Sequence, residues 1–578
     1  MSDKVNITLD GKSLTVDKDK TILEVAREAG IKIPTLCYLE EINEIGSCRV
    51  CVVEVNGKIQ PACVTPVSEG LEITTTSPRI REARRISLEL IISDHPMECL
   101  TCSRNGNCEL QRLAEDFGIS EITYEGEQSH FEPDLSSPSI VRDPDKCILC
   151  RRCVSVCEQV QGVAALTPNE RGFSTIITPA FGQKLGEIAC ANCGQCINAC
   201  PVGALSEKDD TEKVWEALAN PDKHVVVQTA PAVRVSIGEV FGMKPGSLVT
   251  GKLMAGLRRL GFDKVFDTNF TADLTIMEEG HELIERLKNN ERLPLITSCS
   301  PGWIKFIEHF YPSYLEHISS CKSPQQMFGA LAKTYYPENN GIDPEDVFVV
   351  SVMPCTAKKF EITRPGMDSS GYQDVDVVLT TRELAKMFKQ AGIDFVNLPD
   401  EEYDKPLGIS TGAGTIFGTT GGVMEAALRT AYEVLTGEEL PGLEFEDVRG
   451  LEGIKECEIE INGQKIKVAV AHGLSNAHKV LQNIDDYHFI EIMACPGGCV
   501  GGGGQPYPTN EETIRLRAQG LYRDDKEHQI RKSHENPVVK KLYEEFLGKP
   551  LSHKSHELLH TGYVVRSKYP ANVESDAV

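Results

Sequence analysis

Long apolar runs are missing from this sequence. No stretch of 18 or more apolar residues occurs in its 578 residues, so no membrane-spanning helix is expected. The opening residues, Met1 to Asp10, hold no basic stretch leading into an apolar run. No signal peptide is therefore expected, and a cytoplasmic location follows. Positive charge is scarce: 60 Lys and Arg face 85 Asp and Glu, a formal charge of −25. That argues against nucleic-acid binding, which needs a basic footprint, and suits a chain that docks a basic patch on a partner. No strand-like run is followed by G-x-G-x-x-G. The glycine run Gly501–Gly504 lacks the Lys-Ser or Lys-Thr of a phosphate loop. Any nucleotide chemistry must then sit on a partner. Hydrophobic residues at 40% and charged residues at 25% give an ordinary globular balance, at a length too great for one core.

Cysteine, by contrast, is abundant. Fifteen of the 21 cysteines precede residue 201, most of them in C-x2-C groups. In a chain without an export signal that spacing points to metal binding rather than disulfides.

Residues 1–80 form the first expected domain. Val5–Leu9 alternates in polarity, Asp10-Gly11 turns, and Ser13–Val16 returns. Thr21–Ala29 has helical spacing with Gly30 behind it, and a second hairpin, Val52–Val55 and Ile59–Cys63, closes around Asn56-Gly57. The pattern resembles the β-grasp ferredoxin module. Its cysteines, Cys37, Cys48, Cys51 and Cys63, suit a [2Fe–2S] cluster, which needs soft thiolates from a wrapping loop. A structural zinc is the plainer alternative.

Residues 81–130 make a second unit, read as helical from 81 to 125, with His95, Cys99, Cys102 and Cys108 on the linking segment. This set fits a [4Fe–4S] cluster with one imidazole ligand or a Cys3His zinc. The neighbouring motifs favour the cluster. The polar, Pro-rich stretch 133–144 reads as a connection. In 138–209 a repeat appears: Cys147-x2-Cys150-x2-Cys153-x3-Cys157 recurs 43 residues later as Cys190-x2-Cys193-x2-Cys196-x3-Cys200. In two-cluster ferredoxins the fourth cysteine of each run serves the other cluster. One [4Fe–4S] cluster is thus expected on Cys147, Cys150, Cys153 and Cys200, the other on Cys190, Cys193, Cys196 and Cys157. Four clusters in series carry electrons but make no bonds, so a catalytic centre is expected downstream.

From about 210 to 550 the texture becomes α/β. Apolar runs at 225–229, 264–266, 293–296, 347–353, 375–379, 466–470 and 489–493 read as buried, largely parallel strands with helices between. The remainder, 551–578, reads as a short polar surface tail. Three strands end on Cys299, Cys355 and Cys495, each with a proline within two residues. Ligands bind beyond the carboxyl ends of such strands. Buried apolar cysteines are the duller reading, but the prolines mark strand ends. Cys499 adds a thiolate in a glycine-rich loop.

The motifs Thr297-Ser-Cys-Ser-Pro-Gly-Trp303, Met353-Pro-Cys-Thr-Ala-Lys-Lys359 and Met493-Ala-Cys-Pro-Gly-Gly-Cys499 resemble the three signatures of [FeFe] hydrogenases. Thr420-Gly-Gly-Val-Met-Glu-Ala-Ala427 is also similar. The resemblance spans nearly the whole chain. It implies a two-lobed catalytic domain and an H-cluster: a [4Fe–4S] cubane bridged to a two-iron unit carrying CO, cyanide and azadithiolate. Cys355, Cys495 and Cys499 would hold the cubane. The family pattern has a second cysteine, its fourth ligand, where this chain has Ser300. The resemblance therefore leaves three alternatives: Ser300 ligates through oxygen, Cys299 ligates in its place, or the relay and ligand roles are shared differently. The register keeps Cys299 on the relay position. The resemblance also implies a proton path through Cys299, Glu279, Ser319 and Glu282, with Arg286 a turn beyond. Glu279 and Glu282 share a helical face. Without the resemblance they would read as a solvated acidic face. Lys358 matches a residue that pairs with cyanide. Pro231, Gln325, Met353, Phe417 and Met493 match the pocket lining, and Ala232 stands where some members carry serine.

The implied reaction is reversible H2 oxidation and proton reduction. The closest group in pattern is the catalytic subunit of multimeric, NAD(P)-linked, electron-bifurcating hydrogenases, working with a flavin and NAD(P) subunit, a small [2Fe–2S] subunit and ferredoxin. A stand-alone ferredoxin-linked hydrogenase shares the same plan. An iron–sulfur sensor or scaffold would not need Cys499, Lys358, Glu279 and Glu282. A respiratory-complex subunit would lack the three motifs of the second half.

Overall fold

The computed structural model describes residues 3–440, 442–461 and 463–568. The first domain is a five-stranded mixed sheet in the spatial order Lys12–Asp17, Lys4–Leu9, Glu72–Thr74, Val52–Val55, Lys58–Pro61. The helix Ile22–Glu28 packs on it, started by a Thr21/Glu24 capping box that satisfies two free backbone N–H groups. Both expected hairpins form.

The expected helical stretch 81–125 divides. Helices Pro78–Ser93 and Glu109–Asp116 form, while the residues between them are loop and short turn, because His95 and the three cysteines must fold inward together. The connection 133–144 is not all loop either. Ile140–Arg142 pairs with Leu205–Glu207 and closes the two-cluster domain end to end. The sequence repeat is a repeat of backbone. Leu149 and Arg151 take positive φ (53° and 62°), and their counterparts Asn192 and Gly194 do the same (56° and 72°). Each run wraps its cysteines with the same left-handed kinks before a short helix, Arg152–Ser155 or Gln195–Ala199.

The front modules share one core. Leu36 and Val50 of the first domain, Leu88 and Leu110 of the second, and Ile140 and Ile197 of the third lie in a single buried cluster. Asn43, wholly buried, locks the joint: its Nδ2 donates to Cys37 O (2.7 Å) and Cys150 O (3.0 Å). Arg152 grips Glu109 with two bonds, 2.7 and 3.0 Å.

The catalytic half holds two four-stranded sheets. The first is parallel throughout, in the order Lys264–Asp267, His224–Thr229, Val347–Met353, Val377–Thr380. The second runs Leu295–Ile296, Phe489–Met493, Gln464–His472, Ile454–Ile461, with the last strand antiparallel. All seven expected runs contribute strands. The eighth, Ile454–Ile461, escaped notice because it alternates Glu with apolar residues at a half-exposed edge.

The tail expectation is corrected where the chain is described. Ser555 and Leu559 are fully buried, and Lys322 N and Thr561 N exchange backbone bonds between segments 320–322 and 559–561, each 2.8 Å. Residues 569–578 lie outside the described part. Among the described residues no helix is long and apolar enough to cross a membrane.

The two-cluster domain meets the catalytic half through glycines. A Cβ on Gly503 would stand 2.3 Å from Cys193 O and 2.7 Å from Gly194 Cα, both backbone. Gly503→Ala must therefore open this joint. A loss of about 1–3 kcal/mol, the usual cost of overpacking, is expected as a lower unfolding midpoint by calorimetry. An unchanged midpoint would show that the joint yields freely.

Candidate active site

Strand ends bring the cysteines of the second half together. Val347–Met353 leads through Pro354 to Cys355, Phe489–Met493 leads through Ala494 to Cys495, and Leu295–Ile296 leads through Thr297 and Ser298 to Cys299. Cys499 follows in a turn where Gly498 has φ 89°. These four residues and Ser300 line one cavity of about 790 Å³ of space between the two sheets. Pro231, Gln325, Met353, Lys358, Phe417 and Met493 line it too. Ala232 does not. It is buried in a small core with Val235, Val500 and Leu521, on which Cys499 also packs.

The lining is apolar around its sulfurs. Burial pushes the Cys499 thiol up to about 12 and raises Cys355 and Cys495 as well. Bare thiolates are thus disfavoured here, and a bound metal cluster would supply the positive charge that ionises them. Three thiolates from three backbone turns form a soft donor set suited to iron–sulfur ligation. Ser300 Oγ accepts from Ala494 N–H at 3.2 Å. Lys358 Nζ donates to Cys299 O (3.2 Å) and Glu361 Oε2 (2.9 Å). Glu361 is held in turn by Ser323 and Gln325, while Gln325 Oε1, buried at the cavity, has no hydrogen-bond partner among the described residues.

The front cysteines group as the spacing suggests. One cavity of about 410 Å³ is lined by Cys147, Cys150, Cys153 and Cys200. Another of about 380 Å³ is lined by Cys157, Cys190, Cys193 and Cys196. The fourth cysteine of each run is exchanged between them. His95, Cys99, Cys102 and Cys108 line a third, and His95 Nδ1 is buried without a partner among the described residues. Burial lowers the His95 pKa, leaving the neutral imidazole that a metal needs. Cys51 and Cys63 stand 3.3 Å apart, sulfur to sulfur, too far for a disulfide, and Cys37 is held by Cys48 and Cys63. These donor sets fit iron–sulfur groups. Cys193 belongs to two cavities, and its carbonyl lies 4.0 Å from Cys495 Sγ.

Glu279 and Glu282 both lie on the helix Thr268–Asn289. Glu279 is buried, so the solvated-face reading fails for it. Its carboxyl is pushed up to about 8 by burial, against a hydrogen bond from Ser319 that lowers it. Its Oε1 has no hydrogen-bond partner among the described residues. Ser319 Oγ donates to Glu282 Oε2 at 3.2 Å, and Arg286 Nη2 donates to Glu282 Oε1 at 2.6 Å. Sequence reasoning missed Glu491. It is fully buried, is pushed up to about 7 by burial, and accepts from Gly421 N and Met424 N at 2.7 Å. It sits mid-strand in an apolar run, and nothing in the local pattern marks it.

Comparison with known proteins agrees with this geometry. Residues 223–503 match the C-terminal domain of the iron-only hydrogenase large subunit, and 511–566 match the iron hydrogenase small subunit. Upstream, 2–78 match a 2Fe–2S cluster-binding domain, 84–123 the NADH-ubiquinone oxidoreductase-G iron–sulfur region, and 146–204 a 4Fe–4S dicluster domain. The NADP-reducing hydrogenase subunit HndD of Solidesulfovibrio fructosivorans is 54% identical, over 98% of this chain and 99% of its own length. The chain belongs to the [FeFe] hydrogenases. Iron hydrogenase 1 of Clostridium pasteurianum is 46% identical over 96% of this chain and 99% of its own. An apo variant of the [FeFe]-hydrogenase of Chlamydomonas reinhardtii superposes with a TM-score of 0.57 at 46% identity, covering 62% of this chain and all of that one. The hydrogenase therefore combines an H-cluster domain with 2Fe–2S and 4Fe–4S domains that relay electrons.

A raised carboxyl pKa makes the folded hydrogenase bind a proton that the unfolded chain releases. Between about pH 4.5 and pH 8 this lowers stability as pH rises. Glu279→Gln removes the titration, so its unfolding midpoint should fall less across that window than the parent's. Equal slopes would show that Glu279 ionises normally.

Proposed function

We propose that this hydrogenase is the H2-activating subunit of a multimeric, NADP-linked enzyme of the cytoplasm. Its partners would be a flavin- and NAD(P)-binding subunit, a small [2Fe–2S] subunit and ferredoxin, coupled by electron bifurcation. This reading rests on the full-length similarity to an NADP-reducing hydrogenase subunit. The lack of a G-x-G-x-x-G after any strand supports a nucleotide site on another chain. The five segments 1–80, 81–130, 138–209, 210–550 and 551–578 are taken as its working units.

Cys355, Cys495 and Cys499 are the residues proposed to hold the H-cluster. When bound, that group supplies the iron at which H2 is cleaved or formed. Lys358 fixes a positive charge at the cavity wall, and Met353, Met493, Phe417 and Pro231 keep water out. Keeping water out strengthens every charge interaction inside. The Cys299 thiol takes or gives the proton at the cavity. Glu279, poised near neutral pH, is matched to receive it. Ser319 Oγ hands it to Glu282. The front sets, Cys37/48/51/63, His95/Cys99/102/108 and the two exchanged cysteine quartets, are proposed as the electron wire, joined to the catalytic cavity at Cys193.

The test of the assignment is the isolated chain, matured with its clusters. It should oxidise H2 with a viologen dye and leave NADP+ unreduced until the partner subunits are added. Substantial NADP+ reduction by the single chain would overturn the division of labour.

The fourth cubane ligand is a separate question. We propose that Cys299 is the proton relay and not the ligand, since the flanking Thr297, Ser298, Pro301, Gly302 and Trp303 keep it in the relay register. Cys299→Ser should then keep the cubane by electron paramagnetic resonance and lose turnover by roughly 10²-fold or more, the scale of acid–base effects. Loss of the cubane signal in that variant would make Cys299 the ligand. Ser300→Ala tests the hydroxyl the same way: a vanished cubane marks Ser300 as its ligand.

A further inference from the structure

The proton path reaches Glu282, yet Glu282 is nearly closed to water. Its side chain is 13% exposed, and Arg286 covers Oε1. The other oxygen, Oε2, accepts from the backbone N–H and the hydroxyl of Ser320, each at 3.1 Å. The same hydroxyl lies 2.8 Å from Nδ1 of His560. His560 Nε2 lies 3.1 Å from Glu278 Oε2. His556, an exposed residue of the helix His553–Leu559, sets its ring 4.2 Å from that of His560, centroid to centroid.

Backbone pairing builds this arrangement. Cys321 and His560 are bridged across the two segments that exchange the bonds of Lys322 and Thr561. His560 is therefore placed by the fold and does not reach Ser320 by chance of rotamer.

We propose that Ser320 and His560 form a branch of the proton path that carries protons between Glu282 and water, with His556 at its mouth. The proposal rests on the reading of Glu279, Ser319 and Glu282 as that path. A hydroxyl donates and accepts at once, so a proton leaving Glu282 Oε2 joins Ser320 Oγ as the serine's own proton passes to His560 Nδ1. Imidazole accepts at one nitrogen and releases from the other: the proton on His560 Nε2 passes to Glu278 Oε2, 3.1 Å away, and from that carboxylate to His556, which gives it to water. Reversal of the same steps brings protons in, so no charge accumulates. Glu278 supplies the counter-charge. It accepts from Tyr543 OH and Leu551 N as well as facing His560, and these bonds hold its carboxyl below the usual range despite burial. Glu278, Glu282 and Glu285 also face His556, and Cys321 and Arg286 flank Glu282. Burial, and then the like charge of His560, hold His556 below the ordinary histidine value, so it gives its proton to water readily.

The experiment uses the matured full chain. His560→Gln removes the titrating group, and Ser320→Ala removes the hydroxyl while keeping the backbone N–H. Either should slow H2 turnover roughly tenfold, less than a full acid–base loss because the exposed edge of Glu282 remains. The pH profile of turnover should differ from the parent's, and free imidazole should rescue His560→Ala. In D2O, deuteration of the buried Glu279 carboxyl, followed by infrared spectroscopy, should also slow. His553→Ala, fully outside the branch, should match the parent. Parent-like rates and deuteration in both variants would overturn the branch, as would a loss with an unshifted pH profile and no imidazole rescue. Glu279→Gln separates the two readings: parent-like turnover there would sink the main path itself, whatever His560 does.

Discussion

Burying sulfur as thiolate is the constraint on which the structure depends. A thiol moved from water into an apolar cavity holds its proton more tightly, and Cys147 and Cys157, like Cys499, are pushed up to about 12 chiefly by burial. Iron–sulfur sites need the opposite state. The cysteines must therefore converge closely enough for one cluster to neutralise them together. That need fixes the backbone. Loops turn left-handed at Leu149, Arg151, Asn192 and Gly194 to point several sulfurs inward from a few residues. Strand ends do the same job in the catalytic half, where three separate strands deliver one cysteine each.

Convergence also dictates how the domains touch. Sites that exchange electrons must sit close, so the walls between them are made of backbone and glycine rather than side chains. Gly194 and Gly503 meet where Cys193 faces Cys495. A Cβ on Gly203 would stand 2.5 Å from Cys102 Sγ, which brings the His95 set against the two-cluster domain. Polar side chains then tie these thin walls. Asn43 bonds to the carbonyls of Cys37 and Cys150, and Gln195 and Asn198 donate to Gly501 O and Gly502 O.

Ligand spacing was highly legible in the sequence, because a C-x2-C group is local chemistry and its partners repeat. The exchanged fourth cysteines could be read from the same repeat. Parallel strands were legible as apolar runs. What escaped was set by distant segments. Asn43 is an ordinary loop residue until Cys150 comes beside it. Glu491 looks like a misplaced charge in a buried strand, and only the backbone N–H groups of Gly421 and Met424 explain it. Ala232 was expected at the cavity from the resemblance alone, and it packs in a small core with Val235, Val500 and Leu521 on which Cys499 also rests. The segment after 550 read as polar because its histidines and lysines dominate, while its few apolar residues, Leu558 and Leu559, decide where it packs.

That C-terminal segment is more than a covering. Residues 511–566 match a small-subunit family, yet here they continue the same chain as the catalytic domain. Arg517 reaches back to Glu239 with two bonds of 2.7 Å, and Asp525 receives Arg429 in a fully buried pair. Such pairs are costly to leave half-made. Covalent linkage gives the clasp a fixed, high effective concentration beside its groove. Dilution cannot strip it away, and no second polypeptide has to arrive in matched amounts before the buried charges find their partners.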